Sequence, residues 1–216
     1  MEEDFATLAA LPDPDLGRLA LTMAASFGEV DAPTALEELD RLGEALRATA
    51  PASAEEGIES CRRVLGIDNG FVGERDDYDH PRNSMLDLVL QRRRGLPILL
   101  STVYIEAGRR AGLPLAGVGL PGHYVVGHFG ANPPLLLDPF AGGIRIVSEV
   151  PPELARPWTA HETALRMLNN LVGSYERRGE LGFAIRAARM RLDLPLADAA
   201  RQSLAAELRA LQARLN

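Results

Sequence analysis

The stretch that decides the fold is GLPGHYVVGHFGANPPLLLDPFAGG, residues 119–143. It holds His123 and Asp138 fifteen positions apart, on either side of a turn-rich segment that spans Gly130–Pro134. Apolar runs on both sides of that turn predict two antiparallel strands. Such a strand pair can hold an imidazole against a carboxylate, as the base and the orienting acid of a catalytic triad are held. The stretch leaves open where a nucleophile would lie.

The surrounding sequence predicts a small antiparallel meander packed on one buried helix. The segment 98–111 is almost wholly apolar and stops at Gly112, which is typical of a central helix with a glycine end. Strands are predicted at residues 115–120, 123–129, 135–140 and 143–148, with Gly142–Gly143 as the last turn. Because helices precede and follow this core, the expected fold class is α+β with segregated helices.

Three regions are predicted along the chain. Residues 1–66 form an N-terminal helical region in which Asp15 and Ser53 cap helices, and residues 67–150 form the core. Within the core, a loop is predicted at 69–83, and Asn83 is expected to cap the next helix or to reach into the site. Residues 151–216 form a helical tail that is broken near Gly179.

Composition narrows the classes of function. The net charge is −7, and the first sixty residues carry fourteen acids and three arginines, so the concentrated basic face of a nucleic-acid-binding protein is absent. All 23 basic residues are arginine, which excludes lysine-based chemistry. No apolar run is long enough to span a bilayer, and the acidic N-terminus is unlike a secretory signal. A single cysteine allows no intrachain disulfide, so a cytoplasmic location is expected, without nucleic-acid or membrane partners.

Four motifs follow one another between Tyr78 and Gly143: PRNS at 81–84, RRRGLPI at 92–98, LPGHY at 120–124 and LDPFAGG at 137–143. By these motifs in this order, the segment resembles the SirB-type proteins, a bacterial branch of the transglutaminase-like superfamily. The tail also resembles a single tetratricopeptide-like helical pair. The residues that carry this second likeness are Tyr175, Gly179, Ala184, Ala188 and Pro195.

The resemblance implies a papain-like site in which a cysteine at the start of the central helix attacks an acyl group. His123 would take its proton, and Asp138 would orient the imidazole. This chain departs from that pattern, because Pro97 and Ile98 stand where the nucleophile is expected. Cys61 lies on another predicted helix, between Ile58 and Val64, where a cysteine is typically a small buried hydrophobe.

Three interpretations follow. In the first, the chain is a non-catalytic or regulatory domain, and His123 with Asp138 is a relic pair. In the second, a hydrolase or acyltransferase uses Ser101, one turn deeper in the helix, although a serine in an apolar helix usually bonds back to the preceding turn. Thr102 and Ser84 are poorer candidates.

In the third, the vacated cleft binds a peptide or small ligand, with Pro121, Gly122 and Asn83 beside His123 and Asp138. The cleft or the helical tail could then hold a protein or peptide partner.

No metal or cofactor is expected. The candidate metal ligands are His80, His123, His128 and Asp138. His123 and His128 are five positions apart and therefore face opposite sides of one strand. His80 lies in a loop, and His161 is expected at the start of the C-terminal helices. The oligomeric state does not follow from the sequence.

Overall fold

Helices flank a four-stranded sheet and one buried helix. The computed structural model describes residues 4–147 and 150–215 of the chain. The α-helices in these ranges are α1 (Phe5–Ala9), α2 (Leu16–Ala25), α3 (Ala32–Arg47), α4 (Ala54–Cys61), α5 (Leu86–Arg92), α6 (Pro97–Ala111), α7 (Ala160–Arg177), α8 (Leu181–Met190) and α9 (Asp198–Ala213). The strands are β1 (Val72–Gly73), β2 (Arg94–Gly95), β3 (Leu115–Leu120), β4 (His123–His128), β5 (Leu135–Asp138) and β6 (Ile144–Ile146). The predicted α+β class is confirmed.

Helix α6 is the central element of the fold, as the apolar sequence predicts. Every residue from Pro97 to Gly108 is buried. Proline at the first position suits a helix start, because its missing N–H has no partner there in any helix. The helix ends where Gly112 adopts a left-handed conformation, with φ of 80°. Its buried carboxylate, Glu106, is paired with the guanidinium groups of Arg109 and Arg110 on the next turn.

The larger sheet is an antiparallel meander in the order β3-β4-β5-β6. Strand β4 lies between β3 and β5, so the stretch chosen from the sequence forms the middle of the sheet. Strands β5 and β6 are shorter than the sequence predicts. Pro139 lacks the N–H that would continue β5, and a short 3₁₀ turn follows it. The end of the fourth predicted strand, at residue 148, lies outside the described residues.

Helices from both ends of the chain cover this core. Helix α3 packs along α6, and α7 forms an antiparallel pair with α8. A single apolar cluster contains residues from all three regions predicted in the sequence, from Phe5 to Leu211. The boundaries at 66/67 and 150/151 stay predictions. No helix in the described part of the chain combines the length and the apolar composition that a membrane crossing requires.

The segment before α6 differs from the prediction in three ways. Ser53 caps α4 as expected, but the chain continues beyond Gly66 as a π-helical segment to Asp68. The predicted loop 69–83 contains β1, which pairs in parallel with β2. The prediction that Asn83 caps the next helix was wrong. Asn83 lies in a 3₁₀ turn, and Met85 stands at the start of α5.

The close packing of α3 on α6 depends on Gly43. A Cβ atom at this position would overlap the Cβ of Arg110 and crowd the carbonyl oxygen of Ala107. We therefore expect Gly43→Ala to lower the free energy of unfolding by about 1–3 kcal/mol, as overpacking does, although alanine favours helices. Urea denaturation of the purified protein measures this change.

Gly182→Ala is the matched control. Gly182 also lies in a helix, α8, but a Cβ atom there meets nothing within 4 Å. This substitution should raise the free energy of unfolding by up to about 1 kcal/mol. Equal effects of the two substitutions would contradict the close helix contact at Gly43.

Candidate functional site

The fold brings His123 and Asp138 together. His123 opens β4 and Asp138 closes β5, and the two antiparallel strands place the side chains on one face. The Nε2 atom of His123 lies 3.0 Å from Oδ2 of Asp138. The imidazole is 33% exposed and the carboxylate 21% exposed, so the pair lies at the surface of the sheet rather than inside it.

Further contacts fix both residues of the pair. The backbone N–H of Phe140 donates to Oδ1 of Asp138 over 2.9 Å. The guanidinium of Arg166, from α7, donates to the carbonyl oxygen of His123 over 2.9 Å. The ring of Phe140 stands perpendicular to the imidazole at 6.3 Å, and Tyr78 meets the Phe140 ring at 6.0 Å. The orientation of the imidazole is therefore set from several elements.

One edge of the His123 imidazole remains available. Nε2 is used by Asp138, while Nδ1 has no hydrogen-bond partner within residues 4–147 and 150–215. A neutral imidazole carries one donor and one acceptor nitrogen, and the bond to Asp138 favours the proton on Nε2. Nδ1 is then an acceptor on a partly exposed ring. Such a group can accept a hydrogen bond from a ligand or a proton from a nucleophile.

The start of α6 carries no nucleophile. Leu96 precedes the helix, Pro97 opens it and Ile98 follows. All three side chains are apolar and buried. None of them can attack an acyl group. The departure from the papain-like pattern that the sequence indicates is therefore present in the folded structure as well.

The replacement nucleophiles considered from the sequence are buried. The hydroxyl of Ser101 is inaccessible to solvent and donates to the carbonyl oxygen of Tyr124 over 3.5 Å. It therefore bonds across to β4 rather than back along its helix. Thr102 makes the bond to the preceding turn instead, to the carbonyl oxygen of Ile98 over 2.9 Å. Ser84 is 1% exposed, and its hydroxyl has no hydrogen-bond partner in the described part of the chain.

Cys61 is a core residue, as the sequence predicts. Its side chain is wholly buried at the end of α4. Burial raises the pKa of its thiol from 9.0 to about 12, because the thiolate is poorly solvated there. Nucleophilic cysteines have the opposite environment, one that stabilises the thiolate and admits a substrate.

Asn83 organises the loop before α5 and does not line an open cleft. Its side chain is fully buried, and its amide nitrogen donates to the carbonyl oxygens of Asp77 and Tyr78. Its amide oxygen accepts from Arg92 over 3.0 Å. The amide is therefore fully used within the protein. The hypothesis that Asn83 reaches into the site to contact a ligand is corrected accordingly.

Pro121 and Gly122 form the two-residue turn that joins β3 to β4. Leu120 pairs with His123 across this turn, and Gly122 has φ of 71°, a conformation that glycine adopts without strain. The turn delivers His123 to the first position of β4. Its role visible in the structure is to position that histidine.

The other histidines are dispersed over the fold. Nδ1 of His80 accepts from the N–H of Arg82, and Nδ1 of His128 accepts from the N–H of Gly130. His161 lies in the first turn of α7, where the sequence predicts it, and bonds the carbonyl oxygen of Ala9. Among the described residues, no three His, Cys, Asp or Glu side chains form a group that could hold a metal ion.

Comparison with known protein families gives a match that includes the central helix, the sheet and the His123–Asp138 pair. The sequence model of the transglutaminase-like superfamily matches residues 33–171, which is more than half of the chain. The chain belongs to the transglutaminase-like superfamily. The matched region includes α6, the whole sheet, His123 and Asp138. No solved structure shows a significant match.

Relatives with curated sequences are longer than this chain. A UPF0162 protein of Xylella fastidiosa strain Temecula1 is 46% identical over 100 residues, covering 46% of this chain and 36% of that protein. A UPF0162 protein of Pseudomonas aeruginosa is 38% identical over 132 residues, covering 60% and 48%. The human F-box only protein 21 is 35% identical over 69 residues, covering 32% and 11%. The matches thus span at most about half the length of these relatives.

Three residues around His123 were not found from the sequence. Phe140 lies inside the quoted stretch, two positions after Asp138, so its place in the motif was a usable signal. Tyr78 and Arg166 lie far from His123 in the chain. Tyr78 contacts the Phe140 ring through the packing of its loop, and Arg166 reaches the carbonyl oxygen of His123 from α7. No spacing rule links them to His123.

Cys61 should be unreactive in the folded protein. At pH 8, a thiol with a pKa of about 12 carries about a thousandfold less thiolate than one with a pKa of 9.0. We expect native protein to react with 5,5′-dithiobis(2-nitrobenzoate) at least about a hundredfold more slowly than protein in urea. Comparable rates in the two conditions would show that Cys61 is open to solvent and would revive it as a nucleophile.

His128 should make stability depend on pH. Its side chain packs against Gly57 of α4, and burial lowers the pKa of its imidazole from 6.5. The unfolded chain therefore binds a proton more readily than the folded one. The free energy of unfolding should be highest above pH 6.5 and should fall as the pH is lowered below that value. Urea denaturation between pH 7.5 and 5.5 measures this slope.

Variants separate the histidines that contribute to that slope. His128→Asn keeps an acceptor for the N–H of Gly130 but does not titrate, so it should flatten the slope. Burial lowers the pKa of His80 as well, so His80→Asn should remove a further part. If His128→Asn shows the same dependence of unfolding free energy on pH as the unsubstituted protein, the prediction that His128 is buried in its neutral form is wrong.

Proposed function

We propose that this chain is a non-catalytic, SirB-type member of the superfamily that binds a protein or peptide segment beside His123 and Asp138. One observation carries the proposal. The polar pair is intact and half-exposed, with 3.0 Å between Nε2 and Oδ2, while the start of α6 has no nucleophile. A pair kept only for packing would not need to stay partly exposed to solvent.

The surface around the pair suits a polar ligand. We call it the His123 face, formed by His123, Asp138, Tyr78 and Arg166. Tyr78 is 44% exposed and offers both a ring and a hydroxyl, while Arg166 holds the hairpin in place through the carbonyl oxygens of Leu120 and His123. Aromatic and arginine side chains are common anchors in protein interfaces. The mixture fits a peptide backbone with one or two side chains.

The His123 face continues toward a small cavity of about 60 Å³. Tyr78 lines this cavity together with Leu96 at the start of α6, and Asn170 and Ser174 of α7 form its other side. The four residues Arg166, Asn170, Ser174 and Arg177 recur at helical spacing along α7, so one stripe of that helix borders both the pair and the cavity. This continuity supports an extended ligand rather than a single small group.

Helices α7 and α8 support the tetratricopeptide-like part of the proposal. Gly179, with φ of 75°, separates them, and Ala184 and Ala188 pack inward with no exposed surface. Tyr175 of α7 and Phe183 of α8 contact each other between the two helices, with 5.1 Å between their ring centroids. The pair buries its apolar side on the core of the same chain, as a single repeat must.

Burial argues against the alternative of a hydrolase or acyltransferase. Ser101 would need contact with substrate and with the His123 imidazole, but its hydroxyl is sealed from solvent and bonded to the carbonyl oxygen of Tyr124. Ser84 and Cys61 are sealed as well. The names of the UPF0162 relatives state no activity, so they favour neither function.

A peptide selection tests the binding function. A phage-displayed library of random twelve-residue peptides is selected on the full chain, and the affinities of the enriched peptides are then measured by fluorescence anisotropy. His123→Ala and Asp138→Asn should each weaken binding about tenfold or more, because each removes a hydrogen bond to a charged or polar group. Arg145→Ala is the matched control, since it removes an exposed ion pair with Glu55 on another part of the surface.

The same preparations are exposed to a fluorophosphonate probe and to p-nitrophenyl acetate. We expect no covalent labelling and no ester hydrolysis above that of the Ser101→Ala variant. Labelling that disappears in Ser101→Ala would establish the enzyme instead. Selected peptides that bind all variants equally well would place the binding surface away from the His123 face.

A further inference from the structure

A second cavity shares His80 in its lining with the small one described above. Its volume is about 250 Å³, and it lies between the end of α2, the start of α5 and the α7–α8 pair. None of its lining residues belongs to the His123 face. Phe183 at its edge is 38% exposed, so the cavity is open to solvent on that side. Its size is below that of pockets for drug-sized ligands.

One wall of the cavity is aromatic. Phe27 stacks on Tyr175 at 5.5 Å, Tyr175 contacts Phe183 at 5.1 Å, and Phe183 closes the group against Phe27 at 6.2 Å. The thioether of Met85 adds a soft apolar surface. A wall of this kind accepts an apolar side chain, aliphatic or aromatic, without demanding one shape.

Two polar groups of opposite charge line the same cavity and are incompletely satisfied. Asp87 is 5% exposed, and its Oδ1 atom has no hydrogen-bond partner within the described residues. The guanidinium of Arg82 bonds Asp77 through a terminal nitrogen over 3.2 Å, but its buried Nε also has no partner there. Buried polar atoms without partners are uncommon in folded proteins, so a donor and an acceptor at one cavity call for an explanation.

The other charges at the cavity are accounted for. Glu180 lies 3.4 Å from the guanidinium of Arg178, and Nδ1 of His80 accepts from the N–H of Arg82. Glu29 is exposed at the edge. Burial raises the pKa of the Asp87 carboxyl, although the backbone N–H groups of Leu88 and of Asp87 itself act to lower it.

We propose that this cavity binds a small zwitterion, an α-amino acid with an apolar or aromatic side chain. The ammonium group would lie at Asp87, the carboxylate at Arg82, and the side chain along Phe27, Tyr175 and Phe183. One molecule of this class offers a cation to the Asp87 carboxylate, an anion to the Arg82 guanidinium and an apolar group to the aromatic wall. A simple amine or a simple carboxylic acid would satisfy only one of the two polar groups.

Isothermal titration calorimetry on the full chain tests the proposal with defined probes. The first probes are L-phenylalanine and L-leucine. The second are 2-phenylethylamine, which lacks the carboxylate, and 3-phenylpropionate, which lacks the ammonium group. We expect saturable binding of at least one amino acid, and binding of each truncated analogue of phenylalanine about tenfold or more weaker. The carboxylic acid leaves the buried Asp87 carboxyl without a cation, and the amine gives the Arg82 guanidinium no anion.

Two glycine variants provide a matched pair. Gly28 lines the cavity, and a Cβ atom there meets nothing within 4 Å, so Gly28→Leu should fill the space without disturbing the fold. Gly182 is equally open to a Cβ atom but does not line the cavity, so Gly182→Leu should leave binding unchanged. Asp87→Asn should weaken the amino acid about tenfold or more. If Asp87→Asn fails to fold, the Gly28→Leu variant still decides, because it keeps Asp87 in place.

Three results would overturn the proposal. The first is that neither amino acid binds the unsubstituted chain. The second is that Gly28→Leu binds the amino acid as tightly as Gly182→Leu, which would mean that the ligand binds elsewhere. The third is that the amine binds as tightly as the zwitterion, which would mean that Arg82 has no part in recognition and that the cavity is a site for organic cations.

Discussion

Enclosure of α6 on all sides is the constraint from which the remaining architecture follows. Helix α3 approaches it so closely that only a glycine fits at position 43, and β3 and β4 cover the other side. A helix in this position must be apolar along its length, and its one buried acid, Glu106, is tolerated because two arginines pair with it. The sheet, the N-terminal helices and the tail all pack directly or indirectly on this helix.

Enclosure also explains why the polar pair has no accessible nucleophile beside it at the start of α6. The first turn of α6 is buried as thoroughly as its middle, so a hydroxyl such as that of Ser101 finds a protein carbonyl rather than a substrate. His123 and Asp138 escape this burial because they stand at strand ends, where the sheet meets solvent. The hydroxyl of Ser101 on α6 is therefore buried, while the imidazole and carboxylate at the ends of β4 and β5 are partly exposed. In a papain-like enzyme the corresponding groups would share one cleft.

The elements with strong local signals could be predicted from the sequence. The apolar run of α6 with its glycine end, the caps at Asp15 and Ser53, and the meander around His123 all appear where local pattern indicates them. Predictions failed where tertiary contacts decide. Asn83 looks like a cap because it precedes a helical pattern, yet its amide is used by Asp77, Tyr78 and Arg92. The donor to the His123 carbonyl, Arg166, lies 43 residues along the chain and leaves no local trace.

The guanidinium of Arg166 links helix α7 to the hairpin that carries His123. It lies on the tail, yet it holds both carbonyl oxygens that flank the Pro121–Gly122 turn and stacks within 5.5 Å of the Tyr124 ring and 5.7 Å of the Trp158 ring. The hairpin that presents His123 is therefore held from α7, a helix that the sequence analysis places in the tail although the superfamily match at 33–171 includes this arginine. Apolar residues of α7 pack in the same core cluster as Tyr124, so the helix and the hairpin are joined by both polar and apolar contacts. A chain cut before α7 would lose the donor to both ends of the turn together with that packing.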